Sequence, residues 1–245
     1  MTHPEELGGQ NLPYSLGSVM AEWFSSANHS WAMYPGLSQG CMETLKEHGT
    51  SEQQKMFLNN LIGGQWTGTM CLTEPHCGSD LGMLKCKAVK NDDGTYSLTG
   101  TKIFISAGEH DMSDNIVHIV IARLPDAPSG TKGISLFVVP KFNAGTEGEK
   151  LDRNAVTCGS IEHKMGIKGS ATCVINFDEA KGYLVGTENR GLNCMFTFMN
   201  TARIGTGLEG LSASEAAFQG ALAYAKDRLQ FRAMTGVKNP DGPAD

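Results

Sequence analysis

The sequence has no excess of basic residues, since 20 lysines and arginines stand against 26 aspartates and glutamates, giving a net charge of −6 at pH 7. A nucleic-acid-binding surface needs basic residues to neutralise phosphates, so the composition argues against that class of partner. The sequence also lacks an apolar run long enough to span a bilayer and a basic-then-apolar start typical of a signal peptide. We therefore expect a cytoplasmic protein with no membrane span.

Paired cysteines are also missing. The seven cysteines are odd in number, and no Cys-x-x-Cys pair occurs among them. Disulfide frameworks and zinc sites are normally marked by paired, regularly spaced cysteines. This scatter is typical of reduced thiols packed in the core of a cytosolic protein, and we predict no metal site.

The hydrophobic pattern divides the 245 residues into three zones, which we take as residues 1–64, 65–186 and 187–245. The first zone has helix-like mixtures without strand alternation. Ser51 with Gln54 three residues later is typical of a capping box that opens a helix, and two glycines at 63 and 64 would end it. We predict an N-terminal group of helices.

Short runs rich in β-branched and aromatic residues fill the second zone, and turn signals separate them. They are WTGTMCL, LKCKAVK, TYSLTG, TKIFISA, IVHIVIAR, GISLFVVP and TCVINFD. Many short strands with such spacing predict an antiparallel β-barrel or sandwich. Because no helices alternate with these strands, a doubly wound nucleotide-binding fold is excluded.

The third zone predicts one or two long helices from Gly191 to about Met234. The fold class is therefore α+β, with N-terminal helices, a central β domain and the start of a helical bundle. A terminal helical hairpin cannot bury its apolar face alone. We therefore expect this chain to be a piece of a longer protein, or one arm of an intimate oligomer.

Five motifs in order carry a resemblance to a known family. They are TEPHCGSD (73–80), GTKIFISAG (100–108), KGISLFVVPKF (132–142), EHKMGIKGSATCVINFD (162–178), and MNTARIGTG (199–207) followed by YAKDRLQFR (224–232). Over nearly its whole length the chain resembles the acyl-CoA dehydrogenases, and its sequence is most similar to the branch that includes 3-methylmercaptopropionyl-CoA dehydrogenases. By itself, TEPHCGSD is equally typical of a simple turn.

The resemblance implies bound FAD. A reduced flavin needs hydrogen-bond donors, one partner at N5 and an apolar wall that excludes water. By resemblance, Leu72 supplies a backbone contact and Thr73 a hydroxyl and an amide to the flavin ring. Ser106 stands where the family has a hydroxyl near N5, and Phe104 stands where many members have tryptophan.

The resemblance also implies a site for an acyl-CoA thioester. Gly78 and Ser79 would let backbone and hydroxyl approach its pantetheine–pyrophosphate arm. Arg203 matches an arginine near the adenosine end of the ligand, and Asn200 stands where aspartate is common. An ordinary solvated helix position is an equally good interpretation of Asn200.

Near the C-terminus, Arg228, Gln230 and Phe231 match a region that in the family reaches the adenine–pyrophosphate part of FAD across a subunit boundary. Arginine suits a diphosphate because it forms two parallel hydrogen bonds to it. Without the resemblance, a surface arginine would be as good an interpretation of Arg228. The match implies a homodimer or homotetramer.

The reaction that the resemblance implies is α,β-dehydrogenation of an acyl-CoA thioester, with hydride transfer to flavin N5. A glutamate takes the α-proton, and in the family it comes from the C-terminal helical domain; no glutamate here matches it. We therefore predict no catalytic residue in this chain, which looks truncated at both ends and inactive alone, with electron-transfer flavoprotein as the expected electron acceptor. Two alternatives remain: a non-catalytic flavin- or CoA-binding or assembly module, and a nitroalkane-oxidase-like flavoenzyme.

Overall fold

The computed structural model describes residues 1–228. Its α-helices are α1 (Tyr14–His48), α2 (Ser51–Ile62) and α3 (Gly191–Asp227). Helix α1 is kinked at Asn28, where φ is −157° and ψ is 88°. The expected helices before and after the β region are confirmed within residues 1–228. Among residues 1–228, no helix has the length and apolar character that a membrane crossing requires.

The capping box of α2 lies one residue before the predicted one. The Thr50 hydroxyl accepts a hydrogen bond from the Gln53 backbone at 3.3 Å, and the Gln53 side chain accepts one from the Thr50 backbone at 3.1 Å. The assignment to Ser51 and Gln54 was wrong because Gln54 has another role. Its side-chain amide donates to the Lys46 carbonyl at 3.0 Å, in the last turn of α1.

Nine strands lie between α2 and α3. They are β1 (Trp66–Cys71), β2 (Lys87–Lys90), β3 (Tyr96–Ser106), β4 (Asn115–Arg123), β5 (Ile134–Pro140), β6 (Phe142–Ala144), β7 (Lys150–Arg153), β8 (Val156–Ile161) and β9 (Thr172–Val185). Two predicted runs, TYSLTG and TKIFISA, form the single strand β3. At Gly100 the strand packs closely against Cys86. A Cβ on residue 100 would lie only 2.9 Å from the Cys86 Cα, so a larger residue would not fit there without a shift.

The sheet is mixed. Strand β4 pairs with β2 and β5, and the pairs β2–β3, β3–β9 and β9–β5 complete a closed circuit. The predicted central β domain is confirmed, but two pairings, β1–β4 and β2–β4, are parallel rather than antiparallel. Parallel pairing needs a long connection, and more than forty residues separate β1 from β4.

Strand β4 separates two hydrophobic cores, which explains its nearly continuous apolar sequence. Val117, Ile119 and Ile121 pack with the helices in one core. Val120 and Ala122 point to the opposite core, which the circuit of strands encloses. Because β4 is buried on both faces, it fixes the positions of the neighbouring strands, whose ends form the candidate site.

Candidate functional site

The end of β1 meets an irregularity in β3. The Ile103 N–H donates to the Thr73 carbonyl oxygen at 2.9 Å. The pairing of β3 with β9 shifts register between Lys102 and Ile105, and Phe104 has a φ of +59°. A bulge of this kind turns a side chain away from its regular position in the sheet. We call Leu72, Thr73 and the segment 103–106 the strand junction.

Three groups at the strand junction are available to a ligand. Phe104 is 59% exposed, which is high for a phenyl ring. The hydroxyls of Thr73 and Ser106, both half-buried, make no hydrogen bond to any of residues 1–228. An uncovered ring beside two hydroxyls with free donor and acceptor capacity suits a planar polar ligand.

A tight turn follows the strand junction directly. The Gly78 N–H donates to the Glu74 carbonyl at 3.1 Å, and Gly78 has a φ of +56°, a conformation that favours glycine. Apart from its chain neighbours, no residue in 1–228 has an atom within 4 Å of the position a Gly78 Cβ would take, and Ser79 is exposed. The open face of this turn leaves room for a ligand to approach the backbone.

A cavity of about 630 Å³ opens at the N-terminal end of α3. Its lining residues are Thr131, Lys132, Asn189, Arg190, Leu192, Asn193 and Phe196. Two cationic side chains and the first N–H groups of a long helix favour an anion here. Sequence analysis missed this cavity, because its walls lie some sixty residues apart in the chain.

Arg203 and Asn200 extend the cavity wall along α3. The Arg203 guanidinium lies over the Phe196 ring at 5.7 Å. Phe196, Asn200 and Arg203 are spaced by four and three residues, so they share one face of the helix. Both polar side chains are exposed. The structure therefore places these two predicted residues on the helix face that continues from Phe196 in the cavity lining.

Comparison with known proteins now identifies the fold. The family model described as "Acyl-CoA dehydrogenase, N-terminal domain" matches residues 1–65, and "Acyl-CoA dehydrogenase, middle domain" matches residues 69–180. The chain belongs to the acyl-CoA dehydrogenase family.

Individual relatives support this family assignment. A 3-methylmercaptopropionyl-CoA dehydrogenase of Ruegeria pomeroyi is 50% identical over 96% of this chain and 40% of its own length. Butyryl-CoA dehydrogenase from Megasphaera elsdenii superposes with a TM-score of 0.81 at 31% identity, covering 94% of this chain and 58% of that one. An acyl-CoA dehydrogenase from Bacillus anthracis, solved in complex with FAD, superposes with a TM-score of 0.75 at 29% identity, covering 93% of this chain and 37% of that one. This chain thus spans 40% of the length of the Ruegeria relative.

Among the residues expected from the acyl-CoA dehydrogenase resemblance, Arg228 lies at the C-terminal end of α3. It follows the last turn of α3 and donates to the Tyr224 hydroxyl at 2.6 Å. Arg203 and Arg228 are 25 positions apart, which is roughly 37 Å along a helix. Gln230 and Phe231 lie outside the described residues.

A buried ion pair between Lys102 and Glu74 went unnoticed in the sequence. The Lys102 ammonium lies 2.8 Å from a Glu74 carboxylate oxygen. One signal could have found it: Lys102 follows Tyr96 and Leu98 at even spacing in β3, and both of these are buried. An inward lysine needs a buried anion, and Glu74 is the acid of the TEP motif.

Glu74 also belongs to a group of potential metal ligands. Ligand atoms of Glu74, His76 and Cys77 lie within 4.8 Å of one another. Both carboxylate oxygens of Glu74 already accept hydrogen bonds from Lys102 and from two backbone N–H groups. Because a metal would have to displace these donors, we assign none here.

Glu109 and His110 lie in the loop that follows β3, and their side chains have defined partners. The Glu109 carboxylate pairs with Lys141 and with Arg153. The His110 ring is half-buried and lies within 3.1 Å of the Thr67 hydroxyl. Burial and the nearby Lys141 charge hold the pKa of His110 below its ordinary value. These contacts stiffen the loop that follows Ser106.

Proposed function

We propose that this chain forms the flavin face and part of the thioester site of an FAD-dependent acyl-CoA dehydrogenase, which dehydrogenates an acyl-CoA between its α and β carbons. The observation that carries the proposal is the strand junction, where two free hydroxyls flank an exposed aromatic ring. The Bacillus anthracis relative of this fold was solved with FAD. The division into units 1–64, 65–186 and 187–245 stays a prediction.

The strand junction fits a flavin in its chemistry. FAD, when bound, would supply the hydride acceptor of the reaction. Thr73 offers a hydroxyl to the polar edge of the ring, and Leu72 offers a backbone contact. By the resemblance, the Ser106 hydroxyl would serve the N5 atom of the flavin, and the Phe104 ring would shield the flavin from water. Fixed donors at the ring stabilise charge without reorganising during the reaction.

We assign the CoA part of the substrate to the turn and the cavity. Gly78 and Ser79 give the pantetheine arm access to backbone and hydroxyl groups. Lys132 and Arg190 supply positive charge for the phosphates, and the exposed face of α3 with Asn200 and Arg203 extends this wall.

The proton acceptor is not among the carboxylates beside the strand junction. Glu74 is buried against Lys102, and Glu109 is held by Lys141 and Arg153. A general base must reach the substrate proton with a free lone pair. Both carboxylates are committed to cations, so we place the base outside residues 1–228.

We further propose that the functional protein is a homodimer or homotetramer that passes electrons to electron-transfer flavoprotein. Arg228 follows the last turn of α3, roughly 37 Å along the helix from Arg203, and this placement supports a role at the cofactor of a neighbouring subunit. Gln230 and Phe231, outside the described residues, would complete that contact.

An FAD titration of the 245-residue chain tests the proposal, followed by flavin absorbance and fluorescence. We expect saturable binding that a Thr73→Ala/Ser106→Ala variant weakens by about 10- to 30-fold, since each lost hydrogen bond contributes about 1 kcal/mol. Thr206→Ala/Ser214→Ala is the matched control, because those hydroxyls bond only to carbonyls of α3. If the original chain and the Thr73→Ala/Ser106→Ala variant bind FAD with equal affinity, the strand junction is not the flavin site.

A chimera separates an incomplete site from a wrong function. The chain would be joined to the C-terminal part of the Ruegeria pomeroyi relative and mixed with acyl-CoA. Bleaching of the flavin by the thioester supports dehydrogenation. Bleaching by a nitroalkane alone would indicate the alternative oxidase, and a bound flavin that neither bleaches would indicate a binding module.

A further inference from the structure

The Lys102–Glu74 pair lies directly beneath the strand junction. The Lys102 side chain is fully buried and that of Glu74 is 3% exposed. Besides the carboxylate, the Lys102 ammonium donates to the Leu72 carbonyl oxygen at 3.0 Å. A buried ammonium keeps its charge only where an anion and acceptors surround it. One lysine of β3 therefore holds both the end of β1 and the residue after Thr73.

The carboxylate end of the pair ties in a further segment. Glu74 accepts hydrogen bonds from the backbone N–H groups of Lys85 at 2.7 Å and Cys86 at 3.1 Å. Burial alone raises the pKa of the Glu74 carboxyl, but the Lys102 charge and the three donors outweigh it, so the pKa lies below its ordinary value. Glu74 is thus held as a carboxylate that joins the start of β2 to the junction.

The bulge makes this anchoring necessary. Between Lys102 and Ile105 the pairing with β9 is interrupted, so the regular ladder does not fix Ile103 and Phe104. Phe104 also has a left-handed backbone, which costs energy for a residue with a side chain. The contacts that fix the bulge to β1 are the Ile103–Thr73 hydrogen bond and the adjacent bonds of Lys102.

We propose that Lys102 is a positioning residue for the flavin site. With Glu74 it holds Leu72 and Thr73 against the bulge, so that the hydroxyls of Thr73 and Ser106 meet the same ring. Lys102 touches neither substrate nor flavin in this proposal and acts through the backbone that it orders. This inference rests on the proposed function, because it concerns the same site.

The test uses the 245-residue chain and a Lys102→Met/Glu74→Gln variant. This variant removes both buried charges together, since removing one alone would leave the other unpaired. Free FAD is the probe, and three quantities are measured: the dissociation constant, the positions of the visible absorbance bands at saturating FAD, and the melting temperature. The band positions report the environment of the ring, which a purely structural role of Lys102 would leave unchanged.

We expect the double variant to melt cooperatively, to bind FAD at least about tenfold more weakly, and to shift the bands toward those of free flavin. The matched control is Lys55→Met/Glu147→Gln, which removes an exposed pair with an N–O distance of 2.6 Å and should change none of the three. Should the double variant fail to fold, Glu74→Asp keeps an anion for the buried Lys102 but shortens the carboxylate arm by one methylene group. We expect that variant to shift the same bands by a smaller amount.

The outcomes separate the two proposals. If the chain binds FAD and the folded variants keep its affinity and its absorbance bands, the positioning role is overturned and the flavin site stands. If neither the chain nor its chimera with the Ruegeria pomeroyi relative binds FAD, both proposals are overturned together.

Discussion

Ile103 donates its backbone N–H to the carbonyl oxygen of Thr73 at 2.9 Å, and this bond joins two motifs that lie thirty positions apart. It places the TEP segment beside the FIS segment, with Phe104 turned outward between them. The candidate site is thus a product of one strand end and one bulge, and its properties depend on the backbone there.

Replacing Phe104 with glycine should separate stability from binding. The left-handed φ of +59° is strained for phenylalanine and unstrained for glycine, so relief of strain should offset the greater flexibility of the unfolded chain. We expect the free energy of unfolding to stay equal or rise by up to about 1 kcal/mol, while FAD affinity falls by about fivefold for loss of a ring contact of roughly 1 kcal/mol. Urea unfolding and FAD titration measure the two quantities.

Glu179 provides the control for that substitution. It is exposed and also has a φ of +59°, but it lies in β9 away from the bulge. Glu179→Gly should change stability in the same direction and leave FAD affinity unchanged. A Phe104→Gly chain that binds FAD as tightly as the original would show that the ring takes no part in the site.

The sequence predicts features that depend on neighbouring residues, and it does not predict contacts between residues that lie far apart in the chain. The composition of β4 marks it as a buried strand because side-chain period and burial are local properties. Its parallel pairing with β1 could not be predicted, since the partner is chosen by packing across more than forty residues. The same limit hid the cavity formed by Lys132 and Arg190.

The site residues show this limit most clearly. The family resemblance named Thr73 and Ser106, but no local pattern says that their strands meet at a bulge. The buried position of Lys102 follows from strand alternation, whereas its partner Glu74 comes from a turn after another strand. Side-chain period therefore predicts which residue points inward, and tertiary packing decides what it meets.

Two glycines of α1 should respond to alanine in opposite directions. A Cβ on Gly40 would lie 2.4 Å from the ring of Phe198, a buried residue of α3, so the two helices would have to separate. Overpacking of this kind costs about 1–3 kcal/mol. At Gly36, nothing in the described part of the chain beyond the helix's own backbone lies within 4 Å of the Cβ position, and alanine there should stabilise the helix by about 0.5–1 kcal/mol. Urea denaturation of both variants compares them, and a Gly40→Ala chain as stable as the original would contradict the close packing of α1 on α3.

His118 should make stability fall in mild acid. Burial, with smaller contributions from Lys141, His110 and Arg153, lowers its pKa to about 3, so the folded protein keeps the ring neutral. Below the ordinary value of 6.5 the unfolded chain takes up a proton that the folded chain refuses. The unfolded state then binds more protons, and the free energy of unfolding drops by up to about 1.4 kcal/mol per pH unit as pH falls below 6.5.

The measurement for His118 is the difference in unfolding free energy between pH 7 and pH 5. His118→Gln keeps a polar partner for the Thr69 hydroxyl, which lies 2.7 Å from the ring nitrogen, and should reduce this difference by about 2 kcal/mol. His163→Gln replaces an exposed histidine and is the matched control. If His118→Gln loses as much stability as the original chain, another group is responsible for the acid sensitivity.

Arg190 should contribute to ligand binding at some expense of stability. It occupies the N-cap position of α3, where a positive charge opposes the helix dipole and no side-chain hydrogen bond caps the helix. Arg190→Gln should therefore raise the free energy of unfolding by about 0.3–1 kcal/mol.

The same change removes one of the two cations lining the cavity, and CoA should bind about tenfold more weakly, as expected for loss of a charge-assisted hydrogen bond of roughly 1.5 kcal/mol or more. Calorimetric titration with CoA, with exposed Lys168→Met as the control, decides the point: a stabilised variant with unchanged CoA affinity would mean that the cavity holds no phosphate.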